Sequence, residues 1–326
     1  MTDDVLPTAD LRTLKFRAEM LRTLRETFEA HGYWEVETPL LCGESVVDAH
    51  LDPFVVDEKY FLQTSPELAM KRLLVAGATA IYQITRAFRR SEQGRLHNPE
   101  FTMVEWYRTG DGYHDQMDFV EILVRTAAAQ PLKNSGLQLG DVPFRRRTYD
   151  DAFRDILGDT VLDKNCEQLR KVAGERRLSV PQTLRDDDRD GWLNLLLAEV
   201  VEPALGRDGP EFVYDYPASQ SALARIDPQN PLVAQRFEMY IEGLEICNGY
   251  YELTDTNELR RRIEREAAKR TAEGLRPLPE PRRLLAAMQS GLPECSGVAL
   301  GFDRLLMVLT GTNDIAAVTA FPISRA

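Results

Sequence analysis

At 326 residues, with 43% hydrophobic and 28% charged side chains, the chain can close a sizeable core and is too apolar for bulk disorder. Its 40 basic and 52 acidic residues leave a net charge of -12, which excludes a globally basic nucleic-acid footprint; phosphates have to be met by local arginines or a divalent cation. The four cysteines, Cys42, Cys166, Cys247 and Cys295, form no CxxC pair and read as free thiols. With no apolar leader and no membrane-length apolar run, the expected location is the cytoplasm.

In chain order, apolar residues spaced by three and four predict an amphipathic helix over 11–30, capped by Asp10 and stopped near Gly32. A short strand follows over 33–39, ended by Pro39, with strand-like pieces near 53–56 and 60–64. Thr64-Ser65-Pro66-Glu67 opens a helix running to Leu74, with Pro66 expected in its first turn. Residues 80–88 and 100–107 read as a strand and its return, joined by the charged loop 89–99. A helix is expected from Tyr113 to Ala129. Helices and charged turns follow over about 130–210, including a helix from Trp192 to Val201. Residues 212–216 form a strand ending at Pro217; 235–247 form a strand pair turning at Glu242-Gly243. Residues 257–273 give a highly charged, solvated helix, and 278–290 another. A glycine-interrupted strand, 297–301, leads into an apolar helix over 302–309 with Asp303 and Arg304 in its first turn. The sum is an α+β protein with a large, mostly antiparallel sheet.

Three groups of residues carry chemistry. Arg89, Arg90, Arg95 and His97, with Asn98 and Phe101, can clasp a triphosphate between two strands, because the guanidinium fork matches phosphate oxygens and an aromatic face stacks on a base. A solvated loop with Phe101 in the core would give the same pattern. Glu238 and Glu245 can converge across the turn at Gly243 and suit Mg²⁺, while Glu67, Glu105 and Glu252 suit a cationic substrate. Surface placement is the default for glutamate, but Glu105 lies inside the apolar run 101–107. Finally, Gly297-Val298-Ala299-Leu300-Gly301 lets a ligand approach the backbone, with Arg304 nearby; no Gly-Lys-Ser/Thr follows, so it is not a P-loop.

At these residues the chain resembles the class II aminoacyl-tRNA synthetases, in the lysine branch. The first helix and the strand ending at Pro39 resemble motif 1, Phe88 to Tyr107 motif 2, and Gly297 to Arg304 motif 3, in order and over nearly the whole chain. The resemblance implies the class II catalytic fold, an antiparallel sheet core flanked by helices, as one domain over 1–326. It also implies a homodimer built on motif 1, and ATP and Mg²⁺ as cofactors. By the same resemblance, Arg89 binds the α-phosphate, His97 the distal phosphates and Arg304 the γ-phosphate. Asn98 and Phe101 hold adenine, and Glu238 and Glu245 carry the metal. Glu67, Glu105, Tyr107, Asn248, Tyr250, Glu252 and Ala299 line the amino-acid pocket. Three acids around one site are costly unless they meet cations, which argues for a diamino acid.

Motif 1 begins almost at the first residue, leaving no space for an N-terminal OB-type anticodon-binding domain, so intact tRNA recognition is not expected. The chain is similar to the stand-alone paralogues of this branch that activate (R)-β-lysine and transfer it to a lysine of elongation factor P, the expected protein partner. Ala299 stands where the tRNA-charging enzymes have glycine. After Phe88-Arg89, where the family has Asn-Glu, this chain has Arg90-Ser91, with Glu92 one place later. Alternatives are an α-lysine-activating enzyme with another acceptor, an ammonia-dependent asparagine synthetase, and a non-catalytic amino-acid-binding paralogue. Arg145, Arg146 and Arg147, or arginines on 260–270, could dock an acidic partner, although solvated surface charge is the better explanation of them.

Overall fold

The computed structural model describes residues 5–49, 51–129 and 139–326. The opening of the 130–210 stretch, residues 130–138, therefore lies outside the described residues. The chain divides into two compact units, one made of 1–139 and 251–326, the other of 140–250.

In the first unit, α1 (Leu11–Ala30) starts where the Asp10 carboxylate accepts from the Thr13 amide, as its sequence predicts. Strands β1 (Trp34–Glu35), β2 (Leu41–Cys42), β3 (Val55–Val56) and β4 (Tyr60–Leu62) follow. Next come α2 (Glu67–Val75), β5 (Ala80–Phe88), β6 (Glu100–Thr109) and α3 (Tyr113–Ala128). The second unit holds β7 (Arg145–Thr148), α4 (Tyr149–Leu157), α5 (Cys166–Glu175), α6 (Arg189–Leu196), β8 (Glu211–Pro217), β9 (Val233–Ile241) and β10 (Leu244–Tyr251). The chain then returns to the first unit with α7 (Thr256–Ala272), α8 (Arg282–Gln289), β11 (Cys295–Gly301) and α9 (Phe302–Thr310).

The first unit's main sheet runs β1-β5-β6-β11, parallel only at the β1–β5 edge; β2, β4 and β3 form a small antiparallel sheet beside it. The second unit's strands run β10-β9-β8-β7, parallel only between β7 and β8. The mixed, mostly antiparallel α+β architecture agrees with the expectation. An aromatic cluster packs the first core: Phe28 stacks on Tyr82 at 4.2 Å, and the buried Trp106 donates to Gln116 Oε1 at 2.7 Å. Tyr149, Phe153, Trp192, Leu196 and Tyr216 fill the second.

Several elements depart from the sequence reading. The strand over 33–39 shortens to Trp34–Glu35. α2 begins at Glu67, with Pro66 outside its first turn and no side-chain cap beyond a 3.4 Å contact from the Glu67 amide to Ser65 Oγ. The helix expected from Trp192 begins at Arg189 under an Asp188 cap, then widens into a π-helical turn over Leu197–Val201. α8 starts late because Pro277, Pro279 and Pro281 precede it. α7 is not simply a solvated helix: Leu259, Arg262, Ile263 and Arg270 are buried. Arg270 is fully enclosed, donating to the carbonyls of Asp48 at 2.8 Å and Leu51 at 2.9 Å and pairing with Asp52 at 3.1 Å. Such enclosure demands these partners.

Candidate active site

The β5–β6 hairpin presents the basic loop. Its register pairs Phe88 with Glu100, and the Arg89 amide then donates to Pro99 O at 2.9 Å, so the two ends of the loop stay together. Arg89 lays its guanidinium over Phe101 at 5.0 Å, pairs with Glu92 at 3.2 Å, and keeps a buried Nε without a hydrogen-bond partner. Glu92, one place later than the family's carboxylate, is thus paired with Arg89. Arg90 itself is largely exposed and lies 3.6 Å from Asp52, and Arg95 is exposed.

The same loop meets the first turn of α9. Arg304 Nη2 lies 2.5 Å from His97 Nε2. Burial and the adjacent Arg304 cation hold His97 below its ordinary range, so it is neutral at pH 7 and accepts at Nε2 with the proton on Nδ1. Asp303 fixes this geometry from beneath. It accepts from the Thr102 amide at 2.7 Å and from Arg17 Nη1 at 2.5 Å, while Arg17 Nη2 donates to Thr102 Oγ1 at 2.6 Å. Asn98 is buried with its amide committed on both sides, donating to Glu100 O at 2.6 Å and accepting from the Ile323 amide at 3.0 Å. It pins the loop to the C-terminal segment.

Further along β6 lies a buried acidic cluster. α2 contributes Glu67 and Lys71, β6 contributes Glu105 and Tyr107, and β11 contributes Gly297 and Ala299, which stand opposite Tyr107 and Glu105 in the sheet register. Glu252 is placed by its amide, which donates to Cys295 O at 2.9 Å. Lys71 Nζ lies 2.6 Å from both Glu67 Oε1 and Glu252 Oε2. The Tyr107 hydroxyl donates to Glu105 Oε1 at 2.8 Å, and Glu105 Oε2 is buried without a hydrogen-bond partner. Burial, reinforced by Glu67, pushes Glu105 up to about 8. Burial also raises Glu252, against the pull of Lys71. For Lys71 burial acts downward but is outweighed by Glu252 and Glu67, so the ammonium stays charged. Only a glycine fits at 297: a Cβ there would lie 2.2 Å from Tyr107 Cε1 and 2.5 Å from Glu252 Oε1.

In the second unit, the Glu242-Gly243 turn takes positive φ values of 55° and 75°, as a tight hairpin requires. Asn248 stands opposite Glu238 and Glu245 opposite Tyr240, with a bulge between Glu245 and Cys247. The two glutamates are therefore diagonal neighbours on one face, joined through Asn248, whose Nδ2 lies 3.3 Å from Glu245 Oε1. Glu238 is buried and already occupied: Arg236 pairs with one oxygen, and the hydroxyls of Tyr216 (2.7 Å) and Tyr240 donate to the other. The Arg236 guanidinium also lies 5.8 Å from the Tyr250 ring. Among the described residues no group of three or more His, Cys, Asp or Glu side chains could hold a metal alone. With both Glu238 oxygens engaged, a cation held by Glu238 and Glu245 has to compete with Arg236 and the tyrosine hydroxyls and to take most of its ligands from water and phosphate, as Mg²⁺ does.

The basic candidates for docking a partner are compensated. Arg147 is buried against Glu211 and Asp155, Arg145 pairs with Asp155 at 3.3 Å, and Arg146 lies over Phe212. On α7, Arg261, Arg262 and Arg265 share Glu258, and Arg260 pairs with Glu280. Sequence reasoning missed Lys71, Arg236 and the Arg17–Asp303 pair. The i,i+4 spacing of Glu67 and Lys71 was a usable signal; the Arg17–Asp303 pairing had no local signature.

Comparison with known proteins follows the same lines. The family model for class II tRNA synthetases (D, K and N) matches residues 7–325. Similar proteins include those named elongation factor P–(R)-β-lysine ligase from Vibrio cholerae, 44% identical over 99% of both chains, and from Vibrio parahaemolyticus, 43% identical over 97% of both. The protein of that name from Klebsiella pneumoniae is 41% identical over 98% of both.

Proposed function

This chain belongs to the class II tRNA synthetase family, in its D, K and N group, and we propose that it is an ATP-dependent elongation factor P–(R)-β-lysine ligase. It activates (R)-β-lysine as the adenylate and passes it to a lysine ε-amine of elongation factor P. The observation that carries this reading is the acidic pocket. Glu67, Glu105 and Glu252 cluster around a single resident cation, Lys71, so three carboxyls share one positive charge and a second cation is favoured beside them. An aspartate-activating enzyme would need cations there instead. Full-length similarity to proteins named as this ligase agrees with the pocket.

In the first step the amino-acid carboxylate attacks the ATP α-phosphorus and pyrophosphate leaves. Arg89, braced by Glu92 and stacked on Phe101, neutralises the α-phosphate, and Phe101 offers its other face to adenine. Arg304 and neutral His97 act together on the distal phosphates. Asn98 shapes the adenine seat through the loop it pins. Glu238 and Glu245 would hold Mg²⁺, which neutralises phosphate charge when bound. Positioning and charge neutralisation supply most of the acceleration, with no side-chain proton transfer required. In the second step the acceptor amine attacks the adenylate carbonyl and AMP leaves. Tyr107 and Ala299 complete the amino-acid site.

We further propose a homodimer through motif 1, where Trp34, Leu40 and Leu41 remain exposed. Cytoplasmic location and lack of intact tRNA recognition belong to the same proposal. The charge of -12 and the ion-paired arginines support the second, and among the described residues no helix is long and apolar enough to cross a membrane. The test is ATP–pyrophosphate exchange with (R)-β-lysine, (S)-α-lysine and aspartate, followed by mass analysis of elongation factor P. Preference for (R)-β-lysine and a lysyl-sized mass gain are expected. Equal or better use of (S)-α-lysine would favour the α-lysine enzyme, and no exchange at all a non-catalytic paralogue.

A further inference from the structure

The acidic pocket contains a cation of its own that none of these roles uses. Lys71 is only 2% exposed and reaches Glu67 and Glu252 at 2.6 Å each. Glu105 differs from Glu67 and Glu252 in having no cation beside it. It makes no ion pair with Lys71; one oxygen accepts from Tyr107, and the other is buried with no hydrogen-bond partner. A buried carboxylate in that state is costly, whereas a protonated carboxyl is tolerated until a cation arrives.

We propose that Lys71 is a specificity-determining residue: by neutralising Glu67 and Glu252 from within, it leaves Glu105 as the carboxyl that gives up its proton when an ammonium of the bound amino acid arrives. The inference rests on reading the pocket as a diamino-acid site. Charge balances: the substrate ammonium enters still protonated, the Glu105 proton passes to solvent, and a carboxylate–ammonium pair remains. A neutral side chain of similar size leaves Glu105 protonated, forms no such ion pair and gains nothing from the exchange, so it is bound less tightly.

The groups facing Glu105 set where this exchange occurs. Tyr107 lies on the same strand, Glu67 and Lys71 come from α2, and Glu252 completes the charged surroundings, with the buried Cys295 thiol on the side of Glu252 and Lys71. Glu67 pushes the Glu105 carboxyl up and Lys71 pulls it down, beneath a larger upward push from burial. Cys295 is held well above its ordinary range by burial and stays neutral. Below the Glu105 value of about 8, binding therefore has to expel a proton, and KM for the amino acid falls as pH rises towards it. One expelled proton gives a slope of up to about tenfold per pH unit. Lys71 and Glu67 act on Glu105 in opposite directions, so their removal moves this profile in opposite directions.

The experiment measures KM for (R)-β-lysine in pyrophosphate exchange from pH 6 to 9. It also measures proton release on binding, by calorimetry in two buffers of different ionisation enthalpy. Wild type should release close to one proton at pH 6.5, and Glu105→Gln should lower that release by about one while flattening the KM profile. Lys71→Met should move the midpoint to higher pH and Glu67→Gln to lower pH. A merely structural lysine would change stability or kcat without moving the midpoint. If Lys71→Met does not fold, Glu67→Gln carries the test, and an unchanged or upward midpoint overturns the proposal. Binding by wild type without proton release overturns it too, leaving the functional reading intact. Absence of binding and exchange with every lysine isomer removes both.

Discussion

Replacing Gly297 with alanine tests the architecture of the amino-acid pocket by a single methyl group. The residue does not need glycine for its backbone, since its φ lies outside the left-handed region. It needs glycine because a Cβ would sit 2.2 Å from Tyr107 Cε1 and 2.5 Å from Glu252 Oε1. Ordinary carbon contacts lie at about 3.5–4.0 Å, so something has to move by more than ~1 Å. Neither neighbour has free space, with Tyr107 at 3% and Glu252 at 1% exposure. Displacing the Tyr107 ring also breaks its 2.8 Å hydrogen bond to Glu105. Overpacking of this kind costs about 1–3 kcal/mol, and stranding a buried polar group costs a similar amount. At ~1.4 kcal/mol per tenfold, KM for (R)-β-lysine should rise at least about tenfold, and the melting temperature should fall by several degrees. KM for ATP should change little, because Arg89, His97 and Arg304 are untouched. Exchange kinetics with each substrate varied in turn, together with a thermal melt, provide the measurement. Unchanged KM for the amino acid and an unchanged melt would show that the pocket is not closed by Tyr107 and Glu252 in this way.

Arg89→Ala should reduce pyrophosphate exchange by at least about a hundredfold while leaving size-exclusion behaviour and the melt near wild type; near-normal exchange would remove Arg89 from the reaction. Ala299→Gly, opposite Glu105 in the sheet, should raise the use of (S)-α-lysine relative to (R)-β-lysine by roughly tenfold, since one methyl in a pocket is worth ~1–3 kcal/mol. An unchanged isomer ratio would exclude that wall as a selector. Glu105→Gln should stabilise the ligand-free protein at pH 9 and make little difference at pH 5. Burial holds the folded carboxyl at about 8, above its ordinary range, so the wild-type contribution is fully present below that ordinary range, declines as pH rises above it, and is lost by about 8. Equal melts at pH 9 would show that Glu105 ionises freely.

Much of the fold was legible because its signals are local. Asp10 before an apolar 3.6-residue period marks α1, Glu242-Gly243 between apolar runs marks a tight turn, and the alternating 80–88 and 100–107 segments mark a hairpin. The departures lie where local signals compete. Prolines delay α8, and α7 shows a charged face in sequence yet buries Arg270, because the carbonyls of Asp48 and Leu51 come from far along the chain to receive it.

For the candidate site, residue types and spacing were enough to single out Arg89, His97, Glu105, Glu252, Gly297 and Arg304. They could not say which charges are already spent on one another. That is a matter of long-range juxtaposition: α2 and the residue after β10 bring Glu67 and Glu252 to the same ammonium of Lys71, and α9 brings Arg304 against His97. A sequence pattern reports what a side chain can do. Only the tertiary structure, by removing water and choosing neighbours, decides whether that side chain is charged, paired or available, because the free energy of a buried ion depends on groups that sequence distance does not reveal.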